Sequence, residues 1–188
     1  MCIRDSVSPD AHLAPSVGDS SSKTSSKAWH KIDGVCYNGS GKKVEGAITR
    51  GMDVSEWQGK INWKEAKKDL DFAFVRISYG TRHLDDYYAY NMTEAEAADV
   101  PVGTYVYSLA KTNKEALAEA QLAIRQMQGH KVSYPVAFDL EDEATLGTLT
   151  RKEISQIALT FCDEIRKAGY TPIPVSYTHL RAHETELH

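Results

Sequence analysis

The chain has 188 residues, of which 41% are hydrophobic and 26% are charged, a composition typical of a soluble globular protein. Its formal net charge is −4 with every histidine counted as neutral, and no strongly basic patch stands out, so nucleic acid is not expected as a partner. The sequence contains no run of about 18 apolar residues, so we expect no membrane insertion.

The three cysteines, Cys2, Cys36 and Cys162, carry little functional information. No CxxC pair and no Cys/His spacing typical of a zinc site is present, and their odd number does not support a disulfide framework. Cys162 falls within a helical pattern and is predicted to be a small buried apolar residue.

The two ends of the chain differ in character from its middle. Residues 1–6 and 175–188 resemble translated sequencing-adapter read-through, and we leave both out of the functional argument. Residues 7–28 are predicted to form a flexible linker, because a segment so rich in Ser, Lys, Asp and Pro cannot bury enough apolar surface to offset its ordering entropy. Residues 29–47 are predicted to form a lead-in hairpin.

Between residues 48 and 174 the sequence alternates between strand and helix patterns. Two helix starts carry capping-box spacing, Asn62 with Glu65 and Thr150 with Glu153, and Gly169 is placed to end the last helix. The predicted strands are 48–54, 72–77, 102–108, 134–141 and 170–174; the predicted helices follow Asn62, cover 89–99 and 114–128, and run from Thr150 to Gly169.

Apolar strands separated by helices predict an α/β fold with a parallel sheet. Five strands suit either a (β/α) barrel cut short or an open doubly wound sheet. No GxGxxG or GxxxxGK[ST] follows any strand, so nucleotide binding gains no support. In barrels the chemistry lies at the C-terminal ends of the strands, and those ends are where candidate residues are sought.

Three carboxylates fall at predicted strand ends. Asp139 and Glu141 are two residues apart on one strand, so their side chains point to the same side with Cα atoms roughly 6.5–7 Å apart. Carboxylates this close raise each other's pKa, and a proton donor beside an anion is what glycoside hydrolysis requires. Asp53 ends another strand and can reach the same mouth. A solvated acidic loop or a Mg²⁺ or Ca²⁺ site are alternative interpretations of this cluster.

Aromatic residues also collect at or just beyond the strand ends. Rings with polar tips suit sugar recognition, although ordinary barrel packing explains any one of them about as well. The candidate sugar-binding residues are Trp57, Tyr79, Tyr105 and Tyr107.

Two further residues are predicted to be structural. Trp63 begins a helix and is expected in the core. Arg76 lies inside a strand and is expected to pair with an interior carboxylate, either Asp53 or Asp139.

The order and spacing of four segments resemble those of glycoside hydrolase family 25. The resemblance extends from about residue 48 to residue 173, and the match is specific because all four segments occur in order at the right intervals. The segments are GMDVSEWQGKINW (51–63), FAFVRISYG (72–80), PVGTYVYS (101–108) and YPVAFDLED (134–142).

This resemblance implies a (β/α) barrel whose last strands lack intervening helices. It also implies hydrolysis of the β-1,4 bond between N-acetylmuramic acid and N-acetylglucosamine, with retention at the anomeric carbon. Glu141 matches the proton donor, Asp139 the companion carboxylate that orients the substrate's acetamido group, and Asp53 an aspartate at the cleft base. Tyr105 and Tyr107 match aromatic cleft positions, and no metal or organic cofactor is expected.

The chain also departs from the family pattern. The family carries a further active-site aspartate on a later strand, and that residue has no counterpart here. A barrel of about five strands cannot close and leaves sheet edges unpaired. We therefore expect the chain as given to fold poorly or aggregate and to be inactive, while the intact gene encodes a muramidase.

Two other hypotheses stay open: a non-catalytic protein that binds cell-wall glycan, and a different glycan hydrolase on a similar barrel. The paired acids favour the enzyme, because a pure binder has no need of them. The expected partner is the glycan strand of peptidoglycan. We expect the protein to be a monomer and to act outside the cell or in the cell wall. The sequence does not distinguish an autolysin from a phage endolysin or a secreted weapon.

Overall fold

A computed structural model describes residues 30–38 and 40–176 of the chain. The segments interpreted as artefact and linker at residues 1–6 and 7–28 lie outside these residues, as does 177–188. The first described element is an antiparallel hairpin of β1 (His30–Ile32) and β2 (Val35–Tyr37). Asp33 and Gly34 turn the chain with φ values of 48° and 80°, and Cys36 is buried.

A parallel sheet forms the body of the molecule. Its strands lie in the order β3-β4-β6-β7-β8, all neighbours are parallel, and the short β5 pairs antiparallel with β4. The strands are β3 (Gly51–Val54), β4 (Phe72–Tyr79), β5 (His83–Leu84), β6 (Val102–Tyr107), β7 (Val132–Leu140) and β8 (Pro172–Ser176). The helices are α1 (Trp63–Ala66), α2 (Tyr88–Ala97), α3 (Asn113–Met127), α4 (Glu143–Leu146) and α5 (Arg151–Lys167).

Local sequence signals explain where the helices begin and end. The side chain of Asn62 accepts a hydrogen bond from the backbone N–H of Glu65. Thr150 and Glu153 form a reciprocal capping box at the start of α5, which satisfies two backbone donors that the helix leaves unpaired. Beyond the end of α5, Gly169 has a φ of 90°, a conformation that favours glycine.

One face of the sheet packs against the helices. Alternate strand residues such as Val75, Val106 and Phe138 are fully buried there against Ala120 and Phe161 of the helices. Trp63 and Cys162 are buried as predicted. This helix-side face holds the main apolar core.

The opposite face, which would be the interior of a barrel, is aromatic toward the N-terminal ends of the strands. Phe72 stacks on Tyr134 at 4.7 Å, and Phe74 meets both rings edge-on. Two glycines make room for these rings, since a Cβ on Gly51 would lie 2.1 Å from the Phe72 ring and one on Gly103 would lie 2.7 Å from Phe74. The interior is therefore a packed layer at this end of the sheet.

The sheet is not closed. Within residues 30–38 and 40–176, β3 and β8 each pair with one neighbour, so the architecture is an incomplete barrel of five parallel strands, as predicted. The fifth strand, β8, runs two residues beyond the predicted limit at residue 174. No helix in this part of the chain is long and apolar enough to cross a membrane.

Candidate active site

The three predicted carboxylates lie at one end of the sheet. Asp53 is the second-to-last residue of β3, Asp139 holds the same place in β7, and Glu141 follows directly after β7. In the parallel register, Asp139 lies between Tyr107 of β6 and Val175 of β8. Because all these strands run in the same direction, the carboxylates share the C-terminal mouth of the partial barrel.

Asp139 has the most perturbed environment of the three. Burial, together with the negative charges of Glu141 and Asp53, raises its pKa to about 7. Its Oδ1 atom is buried without a hydrogen-bond partner among the described residues, while its backbone oxygen accepts from the N–H of Ser108. The backbone of Asp139 is thus bonded to the segment that follows β6, while Oδ1 has no partner among the described residues.

Two tyrosine hydroxyls lie near these acids. Burial raises the pKa of Tyr105. The negative charges of Asp53 and Asp139 raise that pKa further, and the positive charge of Arg76 opposes them. Burial also raises the pKa of Tyr107 to about 12, with contributions from nearby carboxylates including Asp139. Both hydroxyls therefore keep their protons at neutral pH and can donate hydrogen bonds at the mouth.

The mouth also carries exposed aromatic rings. Tyr79 and Tyr107 stack with their centroids 4.9 Å apart and their planes 15° from parallel. Tyr79 is 38% exposed, and Trp57, three residues beyond β3, is 80% exposed. Neither residue is consumed by core packing, so both leave apolar ring surface available to a ligand.

The predicted partner of Arg76 is wrong. Its Nε donates to Oδ2 of Asp85 at 2.9 Å, and its Nη2 forms an ion pair with Oε1 of Glu56 at 2.8 Å, with angles outside those of a hydrogen bond. Both partners come from loops rather than from the strands that carry Asp53 and Asp139. The main counter-ions of the buried guanidinium therefore lie outside the predicted carboxylate cluster.

Sequence reasoning also missed a buried acid behind β6. The Glu119 carboxylate accepts from the Ser108 hydroxyl at 2.7 Å and from the Leu109 N–H at 3.1 Å. Burial raises its pKa to about 7, against the opposing effect of these two hydrogen bonds. A signal was present, because Glu119 interrupts an otherwise apolar stripe of α3 formed by Ala116, Ala120, Ala123 and Met127. Glu119 anchors the loop whose Ser108 is bonded to Asp139.

The part of the chain that the structure describes contains no cluster of three or more His, Cys, Asp or Glu side chains able to hold a metal ion. The groups that the described residues bring to the mouth are carboxyl and hydroxyl groups with aromatic rings beside them.

Comparisons with known proteins agree with this architecture. The family model described as Glycosyl hydrolases family 25 matches residues 52–187, a range that includes most of the C-terminal segment that resembles adapter read-through. Lysozyme M1 of Streptomyces globisporus is 38% identical over 60 residues, which are 31% of this chain and 20% of that protein.

Solved structures give the same picture. The modular autolysin LytC of Streptococcus pneumoniae superimposes with a TM-score of 0.68 at 26% identity, covering 81% of this chain and 38% of LytC. A family 25 glycosyl hydrolase from Bacillus anthracis superimposes with a TM-score of 0.64 at 20% identity, covering 77% of this chain and 68% of the other. The chain thus spans well under half the length of both lysozyme M1 and LytC.

Proposed function

Because the chain belongs to glycosyl hydrolase family 25, we propose that its gene encodes an enzyme that hydrolyses the β-1,4 bond between N-acetylmuramic acid and N-acetylglucosamine in peptidoglycan. The observation that carries the proposal is the state of Asp139. A half-buried carboxyl group with a pKa near 7, one unpaired oxygen and two further acids nearby is suited to glycosidic bond cleavage and has no evident structural purpose.

The proposed mechanism assigns a separate task to each acid. Glu141 donates its proton to the leaving glycosidic oxygen, while the substrate's own acetamido oxygen attacks the anomeric carbon from the opposite face. Asp139 accepts a hydrogen bond from the acetamido N–H and so orients that oxygen. Glu141 then takes a proton from the water that opens the cyclic intermediate, and two inversions give overall retention. Asp53 supports the charge balance at the cleft base.

The substrate assignment is supported by the aromatic mouth and by a relative. Trp57 and the stacked pair Tyr79 and Tyr107 offer flat apolar faces to a pyranose ring. LytC has been solved in complex with a synthetic peptidoglycan ligand. We accordingly place the action of the protein at the cell wall, outside the cytoplasmic membrane, and propose that it works as a monomer.

We further propose that this chain alone is inactive. Among the described residues the sheet has two open edges, and no further strand completes the cleft at either of them. A general acid acts effectively only where water is excluded and the substrate is held in a productive geometry.

Muropeptide analysis tests both proposals together. Peptidoglycan is digested with the complete product of the source gene, with this chain, and with each carrying Glu141→Gln. We expect new N-acetylmuramic acid reducing ends from the complete product only, reduced about 10²–10⁴-fold by the substitution.

Other outcomes separate the alternatives. Wall that is bound but never cut would replace the enzyme by a glycan-binding protein. New N-acetylglucosamine reducing ends would indicate a hydrolase of different specificity. Cleavage by this chain itself would refute its proposed inactivity.

A further inference from the structure

Trp57 combines an exposed side chain with a rigidly held backbone. Its indole is 80% exposed, so packing does not hold it. Its own N–H donates to the Ser55 hydroxyl at 3.3 Å, and the Gln58 side chain accepts from the Ser55 N–H at 2.8 Å, which closes a capping box around a single 3₁₀ turn, Glu56–Gln58. The chain therefore presents an apolar ring to solvent from a fixed base.

A buried ionic network clamps this turn to the sheet. The Glu56 N–H donates to Oδ2 of Asp85 at 2.8 Å, the same oxygen that accepts from Nε of Arg76. The Glu56 carboxylate in turn pairs with Arg76 Nη2 at 2.8 Å. The Asp85 side chain is 0% exposed and that of Arg76 is 7% exposed, so the clamp lies below the surface while Trp57 lies above it.

The same network also contacts the strand pair that ends in the stacked tyrosines Tyr79 and Tyr107. His83 Nε2 lies 2.9 Å from Oε2 of Glu56, and His83 is the antiparallel partner of Tyr79. Tyr79 stacks on Tyr107 beside Asp139. The clamp therefore ties the turn that carries Trp57 to β4, the strand that carries Tyr79 of the stacked pair.

Energetics favour a positional role for these ions. Burying charges costs much of what their attraction returns, so a buried ion pair adds little net stability over an apolar replacement. What a guanidinium in contact with two different carboxylates does supply is a fixed geometry between the two segments that carry them. Burial would raise the pKa of Glu56, but its contacts with His83 and Arg76 outweigh burial and hold that pKa below its usual value, which keeps the Glu56 carboxylate ionised at neutral pH.

We propose that Glu56, Arg76 and Asp85 are positioning residues that hold Trp57 at the cleft mouth as a platform for a sugar ring of the wall glycan. The inference rests on the proposed function for its ligand, but it concerns binding rather than bond cleavage. It predicts that substitutions in the clamp lower glycan affinity by way of Trp57.

A double-mutant cycle tests this coupling. Binding to isolated peptidoglycan is measured for the complete gene product carrying Glu141→Gln, so that nothing is cut, with Trp57→Ala, Glu56→Gln and both. We expect about a tenfold loss of affinity for Trp57→Ala, a comparable or smaller loss for Glu56→Gln, and no additional loss in the double variant. Glu65→Gln is the matched control, since Glu65 belongs to an exposed ion pair with Lys68.

A spectroscopic readout separates positioning from general destabilisation. With 5-fluorotryptophan incorporated, Glu56→Gln should shift or broaden the ¹⁹F signal of Trp57 and leave that of the buried Trp63 unchanged. Should Glu56→Gln disturb Trp63 as well, Gln58→Ala takes its place, because Gln58 is exposed and supports the same turn from outside the core.

The outcomes distinguish this inference from the proposed function. The positioning role would be overturned if the affinity losses of the two single variants multiplied in the double variant. Unchanged binding in Glu56→Gln, or no wall binding at all, would also overturn it. Wall binding that depends on coupled Trp57 and Glu56, in a protein that never cuts wall, would refute the enzyme and leave the inference standing.

Discussion

The two faces of the parallel sheet show how one set of strands serves two purposes. In β7, Val136, Phe138 and Leu140 alternate with Ala137 and Asp139, so every second residue builds the core and the others line the cleft. On the helix side, Phe138 stacks on Phe161 at 4.0 Å in a fully buried contact. On the cleft side, the same strand holds an acid with a raised pKa. The residues that stabilise the fold and the residues that line the cleft thus lie on opposite faces of the same strand.

The largest effect on stability is expected on the helix side. Phe161→Ala removes a fully buried ring and leaves a cavity, which should lower the free energy of unfolding by about 3–5 kcal/mol. Urea unfolding of the complete gene product measures this loss, with the exposed Leu159→Ala as control. Activity per folded molecule of the complete product should be unchanged, and a specific loss of kcat would show that the two faces are not separable.

Glu119 should make stability depend on pH. Its pKa is raised from 4.5 to about 7 on folding, so its stabilising contribution is complete below pH 4.5 and is lost as pH rises through 7. The loss is on the order of 3 kcal/mol from linkage. Glu119→Gln should flatten this part of the profile in urea unfolding, whereas Glu94→Gln, on the exposed face of α2, should not. Asp139 titrates in the same window and will leave a residual slope.

Charge coupling across the mouth is the third expected effect. Asp53→Asn removes one of the two negative charges that raise the pKa of Asp139, so that pKa should fall below about 7. In the complete product, ¹³C NMR of labelled aspartate carboxyls follows the titration directly, and any limb of kcat/KM that reports Asp139 should move to lower pH. An unmoved midpoint would mean that Asp53 does not contribute and that burial and Glu141 set this pKa.

The smallest effect is expected at the surface. Glu65→Gln breaks an exposed ion pair with Lys68, which should change the free energy of unfolding by less than about 0.5 kcal/mol. Thermal unfolding in low and high salt checks this value. A larger change would indicate that α1 depends on its surface charges more than on Trp63.

Local patterns predicted the elements that depend on local physics. Asn62 and Thr150 mark helix starts because capping is a short-range interaction. Apolar runs between the helix patterns predict the strands that end near Asp53 and Asp139. The partners of Arg76 could not be predicted in this way. Asp85 follows directly after β5, a two-residue strand that is too short to leave a pattern in the sequence. Glu56 belongs to the 3₁₀ turn that follows β3. Glu119 left a readable signal, a single acid in an apolar helical stripe.

A β-bulge in β4 explains why Tyr79 lies on the cleft face of the sheet. Arg76 pairs with Tyr105 and Ser78 with Val106, so Ile77 is an extra residue that has no counterpart in β6. In a regular strand, residues three positions apart point in opposite directions, yet Arg76 and Tyr79 align with Tyr105 and Tyr107, which share the cleft face. The bulge therefore resets the phase of the strand. As a consequence, deletion of Ile77 would leave Arg76 and Tyr79 on the cleft face and remove a side chain only from the core. Deletion of Val75 would instead move each residue of β4 that precedes the bulge to the opposite face of the sheet.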